Sequence, residues 1–391
     1  MIKKGKLVNA LCKEISLRKE EITEPIETIY FGGGTPSLLT IEELRLLIEE
    51  VYKNFVVVDN PEITLEANPD DLVSVREHSR TILEEYKTAG INRLSIGIQS
   101  FFEEDLQLMN RAHNAEEAKN CIKEASKHFN NITIDLIYGI PGMNNERWKE
   151  NLDIALSFGV PHISSYALTV EPKTTLHKFI KTGRIPPVEE AVSHQHYLIL
   201  LETMKKAGFV NYEFSNFGKE DYFSKANTGY WQGKPYIGIG PSAHSFNGTT
   251  RSWNVRSNFK YIKSIEENKL PIEIETLSIT DKYNEYIMTG LRTMWGVSLK
   301  KVEEDFGEKY LEYLLQQAKK PLNDGLLKTV FARSEERATK QSHDSKRSVS
   351  NNEITSSLLK KEAPRKDRTI KITKKGKFLS DGIASNLFWV D

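Results

Sequence analysis

The chain has 391 residues, a length that suggests two domains, or one barrel-sized domain with an appendage. Hydrophobic residues make up 39%, which excludes wholesale disorder, and 54 basic against 54 acidic side chains argue against a dedicated nucleic-acid or polyanion binder. No apolar run of roughly eighteen residues marks a membrane span. No secretory signal is visible in MIKKGKLVNALCKEISLRKEE, and two cysteines, Cys12 and Cys121, suit a reducing cytoplasm, so a cytoplasmic location is expected.

The segment KLVNALCKEISLRKE reads as a first helix, with Cys12 beside Leu7, Leu11 and Ile15 on or near its apolar face. Strands are predicted at 26–31, 62–67, 93–99, 132–140, 162–168 and 209–214, with amphipathic helices such as 41–54 and 115–128 between them. Thr40 and Glu43 have the spacing of a capping box. Such alternation implies an α/β fold, with parallel strands and crossover helices over residues 26–246. The texture changes after Gly248. Helices are predicted at 281–295, 300–306 and 309–319, and a short basic strand at 369–373. The expected domains are therefore 1–248 and a mostly helical 249–391. Within the second, residues 333–368 carry ten basic, six acidic and only six apolar side chains, and a disordered insertion is expected there.

Polar residues gather at the strand ends. The first strand runs into Gly32-Gly33-Gly34-Thr35-Pro36, the second into Glu66-Ala67-Asn68-Pro69, and the third into Gln99-Ser100. The fourth carries Asp135 inside ITIDLIYGIPG, and the fifth leads to Thr169 and Glu171. In parallel barrels this carboxyl-end face builds the ligand site, although a single such ending would be an ordinary turn. The three glycines lack the G-x-G-x-x-G and Walker patterns, so their amides suit a charged amino-acid-like group at least as well as phosphate. Asp135, between Ile134 and Leu136, reads as a buried carboxylate that needs a partner, with Arg93 and Arg111 as candidates. A purely structural ion pair is the other reading. His194 and His196 are two apart on a helix and make a poor metal pair. His113, His128, His162 and His177 show no ligand spacing, while His244, in YIGIGPSAHSF, is expected to be a buried imidazole with either a functional or a structural role.

The ordered set GGGTPS (32–37), LEANP (65–69), RLSIGIQSF (93–101), NRAHN (110–114), IDLIYGIPG (134–142), SYALTVEP (165–172) and YIGIGPSAHS (236–245) resembles the HemW family of radical SAM heme chaperones. These are close relatives of oxygen-independent coproporphyrinogen III oxidase. The resemblance runs to about residue 327 and resumes over 369–388. It implies a partial (β/α)6 radical SAM barrel with its first strand missing, followed by a small winged-helix-like domain. It also implies S-adenosylmethionine as a cofactor, with Gly33, Gly34 and Thr35 near its methionyl part. Glu66 and Gln99 would share that pocket, Arg111 and Asp135 would lie near the carboxylate and ribose, and Ala167 and His244 would line it. Two departures stand out. The family's 4Fe-4S cluster is held by a C-x3-C-x2-C loop, whereas Met1 here falls after that loop and Cys12 lies in the helix. The family's H-N-x-x-Y-W segment, associated with heme, reads Ala226-Asn227-Thr228-Gly229-Tyr230-Trp231, and alanine cannot ligate iron. The implied function is to hold heme and pass it to an acceptor protein, with no catalytic or metal-ligating residue assigned and no radical catalysis expected of the chain as given. A coproporphyrinogen oxidase-like oxidoreductase and a truncated non-catalytic remnant are the alternatives.

Overall fold

The computed structural model describes residues 4–72, 81–331 and 368–390, which fall into two units. The first unit begins with helix α1 (Lys4–Leu17) and then alternates strands and helices. In chain order these are β1 (Ile26–Phe31), α2 (Ile41–Asn54), β2 (Val57–Ala67), α3 (Pro69–Leu72), α4 (Ile82–Thr88), β3 (Arg93–Gln99), α5 (Glu103–Leu108), α6 (Ala115–His128), β4 (Ile132–Tyr138), α7 (Asn145–Ser157) and β5 (His162–Ala167). Helices α8 (Thr175–Lys181) and α9 (Glu190–Lys206) lead to the short strands β6 (Val210–Asn211) and β7 (Asn216–Gly218). Capping sets several helix starts. Thr40 and Glu43 open α2 with reciprocal bonds, and Asn114 with Glu117 does the same for α6.

The strands form one sheet in the order β1-β2-β3-β4-β5-β7-β6. Strands β1 to β5 are parallel, as the alternation implies. The single parallel strand expected at 209–214 is instead a hairpin: β7 runs antiparallel to both β5 and β6. Only residues 212–215 separate β6 from β7, too few for the crossover that a parallel pair requires. The bond from Ser164 Oγ to Asn216 Oδ1, 2.6 Å long and buried, locks the pairing.

A two-residue period divides the side chains of this sheet. One face carries Ile63 and Leu65, Leu94, Ile96 and Ile98, Ile132, Ile134 and Leu136, all buried. The other face carries Glu62, Thr64 and Glu66 on β2, Arg93 and Ser95 on β3, Thr133 and Asp135 on β4, and His162 and Ser164 on β5, as the ladder register requires. Parallel strands covered on both sides usually read as continuous apolar runs, and this polar inner face departs from that habit.

After α10 (Lys225–Trp231), strands β8 (His244–Phe246), β9 (Thr250–Asn254) and β10 (Ile272–Thr276) form a small sheet in the order β10-β9-β8, with α11 (Asn258–Glu266) between β9 and β10. Residues 249–275, grouped with the second domain by sequence texture, pack in the first unit, which extends to Glu275. Tyr261, Ile262 and Ile265 of α11 bury against Ala10 of α1. A buried ion pair reinforces the attachment. Glu14 and Arg18, 0% and 1% exposed, reach Gly240 N, Asn254 Nδ2, Tyr261 Oη and Gly238 O with distances of 2.6–2.9 Å.

The second unit takes Tyr212–Phe214, Trp231–Gly233 and the chain from Thr276. It contains α12 (Ile279–Leu291), β11 (Val297–Ser298), α13 (Leu299–Phe306), α14 (Glu308–Asn323), β12 (Leu327–Phe331), β13 (Arg368–Ile372) and α15 (Ser380–Ser385). Its antiparallel sheet has the order β11-β13-β12, and Ile287, Leu291, Val302, Leu311, Leu314 and Ile370 centre its core. Four helices among the described residues, with a three-stranded antiparallel sheet, match the winged-helix-like expectation. The first of them stops at Leu291, short of the predicted 295, because the chain turns at Gly296 with φ of 76°. The insertion expected at 333–368 lies outside the described residues except for Arg368, which opens β13. No helix among the described residues is long and apolar enough to cross a membrane.

Candidate functional site

Alternation on β1 and β2 puts Tyr30 and Glu66 on the polar face, and the two meet at its carboxyl end. Tyr30 Oη donates to Glu66 Oε1 at 2.8 Å, and Gly33 N donates to Glu66 Oε2 at 3.0 Å. Burial and the adjacent Glu66 carboxylate push the Tyr30 phenol well above its usual range. The glycine loop is held open at this point. Gly33 and Gly34 have φ of 74° and 67°, and a Cβ at either would meet no atom within 4 Å. The loop therefore offers backbone beside a carboxylate, with free space above it.

Asp135 enters from β4, next to Ser164 of β5 in the ladder. Its carboxyl is pushed up to about 7, first by burial and then by the charge of Glu66, against the lowering effect of the adjacent Ser164 hydroxyl. Neither arginine suggested by the sequence forms its ion pair. Arg93 is buried and spends its guanidinium on Asn131 Oδ1 and Thr133 Oγ1. Arg111 donates to Asn68 Oδ1 at 2.9 Å and to Gly97 O at 3.3 Å, and acts on Asp135 only through its charge. The bare backbone at Gly97 makes this possible: a Cβ there would lie 2.8 Å from Gln99 Nε2 and 3.2 Å from Arg111 Nη2. Gln99, Arg111, Asp135, Glu66 and Gly33 are thus linked through shared partners and charge.

The remaining candidates stand apart. Thr35 accepts Leu38 N on its backbone carbonyl at 3.1 Å, in the turn that follows the loop. Ala167 is exposed at the end of β5. His244 is exposed rather than buried, its ring 6.0 Å from that of Trp253. The reason is its neighbour: Ser245 is the inward residue of β8, and its Oγ accepts from Arg18 Nη2 and Gly238 N, both at 3.0 Å. The truly buried histidines are structural. His162 Nδ1 lies 3.1 Å from Thr133 Oγ1, and His196 Nδ1 accepts Gly139 N at 3.2 Å. Burial holds the His162 imidazolium well below the usual range and lowers that of His196 to about 4.

Sequence reasoning missed Tyr30 and Ser164, and gave Asn68 and Tyr230 no place in this pocket. Tyr30 and Ser164 were within reach of the period-two pattern, since they stand beside Thr64 and Asp135 in register. Tyr230, its phenol raised by burial, by Tyr236 and by the charge of Glu66, lies in the segment matched to H-N-x-x-Y-W, and nothing local in that segment signals the carboxylate.

The set suits a ligand with hydroxyl and ammonium groups for the carboxylates and a carboxylate for the guanidinium. S-adenosylmethionine presents all three. An iron–sulfur cluster is a different matter. Cys121 is fully buried on α6 with its thiol pushed up to about 12 by burial, and Cys12 packs beside the Val8, Ile15 and Leu47 cluster. These two thiols do not fit as cluster ligands. No group of three metal-ligating side chains occurs among the described residues.

A sequence model described as the radical SAM superfamily matches residues 5–183, and one described as the HemN C-terminal domain matches residues 277–329. The heme chaperone HemW of Bacillus subtilis (strain 168) is 34% identical over 306 residues, covering 77% of this chain and 79% of that protein. The heme chaperone HemW of Buchnera aphidicola subsp. Acyrthosiphon pisum (strain APS) is 35% identical over 312 residues, covering 75% and 77%. Among solved structures, coproporphyrinogen III oxidase (HemN) from Escherichia coli, a radical SAM enzyme, superposes with a TM-score of 0.75 at 20% identity, covering 98% of this chain and 83% of that one. That likeness extends the fold across both units.

Proposed function

The chain belongs to the heme chaperone HemW family of the radical SAM superfamily, and on that premise we propose that it holds heme and hands it to an acceptor protein. The observation that carries this reading is an exposed aromatic surface: Tyr230, 48% exposed, stands edge-on to Tyr236 with ring centroids 4.6 Å apart. A planar macrocycle needs such a surface, and a ligand destined for release needs it open to solvent. S-adenosylmethionine would occupy the strand-end pocket, held by Gly33 and Gly34, Glu66, Asp135 and Arg111. Bound there, it would supply a sulfonium and a nucleoside. The residues of the chain bind and orient. Glu66 is fixed by Tyr30 and the loop amide, Arg111 by Asn68, and Asp135 by Ser164. The two cysteines fit no cluster, so no step through one is derived.

The test is a titration of the purified chain with hemin, followed by mixing with a heme-free cytochrome. Transfer through direct contact gives a rate that rises with acceptor concentration. A rate independent of the acceptor would reduce the chain to a passive heme binder, and absence of hemin binding would remove the proposal altogether.

A further inference from the structure

We propose that His244 supplies the iron ligand of the heme site, on an aromatic wall made by Tyr230, Tyr236, Phe246 and Trp253. This rests on the heme-binding reading above and assigns it a place in the fold. Residues 244 and 246 are alternate positions of β8, so they share one face, while Ser245 between them turns inward. Trp253 of β9 stands directly across from His244 in the antiparallel ladder. Tyr236 bridges to Phe246, with ring centroids 6.3 Å apart, and Tyr230 packs on Tyr236 in turn. The surface is therefore continuous from Trp253 to Tyr230.

The imidazole on this wall is open for coordination. His244 is exposed, stacks against Trp253, and forms no hydrogen bond through either ring nitrogen among the described residues. Its backbone, in contrast, is clamped from behind. A Cβ at Gly238 would lie 2.1 Å from His244 O, so the two segments touch backbone to backbone. The buried Arg18 then secures Ser245. A rigid strand presenting a free imidazole is the arrangement a metal site requires. A ring nitrogen donates its lone pair to ferric iron, with no change of oxidation state and nothing released from the protein. Arg251, across the ladder from Phe246, lies on the same face. Ala226 at the start of α10 offers no competing ligand.

The experiment uses the full chain labelled with 15N-histidine and loaded with hemin, compared with His244→Ala, His244→Phe and a control, His128→Ala, on α6. The phenylalanine variant keeps a ring against Trp253 while removing the nitrogens. Pulsed electron paramagnetic resonance should show a 15N coupling to the iron in the parent and in the control, and in neither His244 variant. Hemin affinity should fall at least about tenfold in both, the scale on which metal-site groups act. Thermal melting of the free proteins should coincide, since the side chain is exposed. Hemin binding with an unchanged coupling in the His244 variants would overturn this assignment while leaving the heme-holding reading intact. No hemin binding by the parent would overturn both.

Discussion

Asp135 combines burial, the nearby negative charge of Glu66 and a single hydroxyl partner, which is why its carboxyl is raised to about 7. The sign of the consequence is fixed. Between the ordinary carboxylate range and pH 7 the native chain binds a proton that the unfolded chain does not, so stability falls as pH rises through that window. A ligand that needs the ionised carboxylate should gain affinity over the same interval. Calorimetry with S-adenosylmethionine from pH 6 to 8 should show affinity increasing, and Asp135→Asn should flatten the profile and stabilise the free chain at pH 8 by about 1–2 kcal/mol. A profile that is equally steep in the variant would dissociate Asp135 from binding. The thiols give a second prediction at this scale. Cys121 should resist maleimide until the chain unfolds, and Cys12 should label slowly, because burial raises both and the charge of Glu50 adds to the effect at Cys12. Rapid native labelling of Cys121, read by mass spectrometry, would contradict its placement in the core.

Helix α1 is tied to distant chain by charge rather than by apolar packing alone. Arg18 bonds Glu14, Glu21, Gly238 O and Ser245 Oγ, and Glu14 receives Gly240 N, Asn254 Nδ2 and the Tyr261 hydroxyl. Removing one member of such a pair leaves a buried charge, so Arg18→Ala should cost about 3–5 kcal/mol in urea unfolding. A loss below about 1 kcal/mol would mean that solvent reaches Glu14. Legibility at this scale followed the range of the interactions. Strands β1 and β3 and helices α2 and α6 were readable to the residue because period and caps lie within a few positions of each other. The strand-end positions of Gly33, Glu66, Gln99 and Asp135 were readable too, since parallel strands bring carboxyl ends together, whereas Arg111, in the turn after α5, was placed in the pocket only through the family resemblance. The β6–β7 hairpin, the exposure of His244 and the Glu14–Arg18 pair were not readable. Each depends on partners about fifty or more positions away or on a neighbour facing inward. Asp135 shows the same limit from another side: its place on the strand was legible, but not that a serine rather than an arginine would meet it.

At the scale of the molecule, neutral buried histidines set the acid limit. With His196 lowered to about 4 and His162 lowered further by burial and the charge of Arg93, the native state refuses protons that the unfolded chain accepts near pH 6.5. Their contribution is complete above pH 6.5 and is lost as pH falls toward 4, at about 1.4 kcal/mol for each unit of displacement. Urea midpoints measured between pH 7 and pH 4.5 should decline, and His196→Phe should shallow the decline. An unchanged slope would place the acid sensitivity elsewhere.

The polar inner face of the parallel sheet also bears on how the first unit responds to heat. Glu62, Thr64, Arg93, Thr133, His162 and Ser164 are withdrawn from water there, where such sheets ordinarily bury aliphatic surface. Exposing polar area on unfolding lowers the heat capacity by about 0.26 cal/K/mol per Å², whereas apolar area raises it by about 0.45. Scanning calorimetry should therefore give a heat-capacity increment below the usual ~12–15 cal/mol/K per residue. The stability curve would be correspondingly broad, varying little over the temperatures at which most proteins of this size lose a substantial part of their margin.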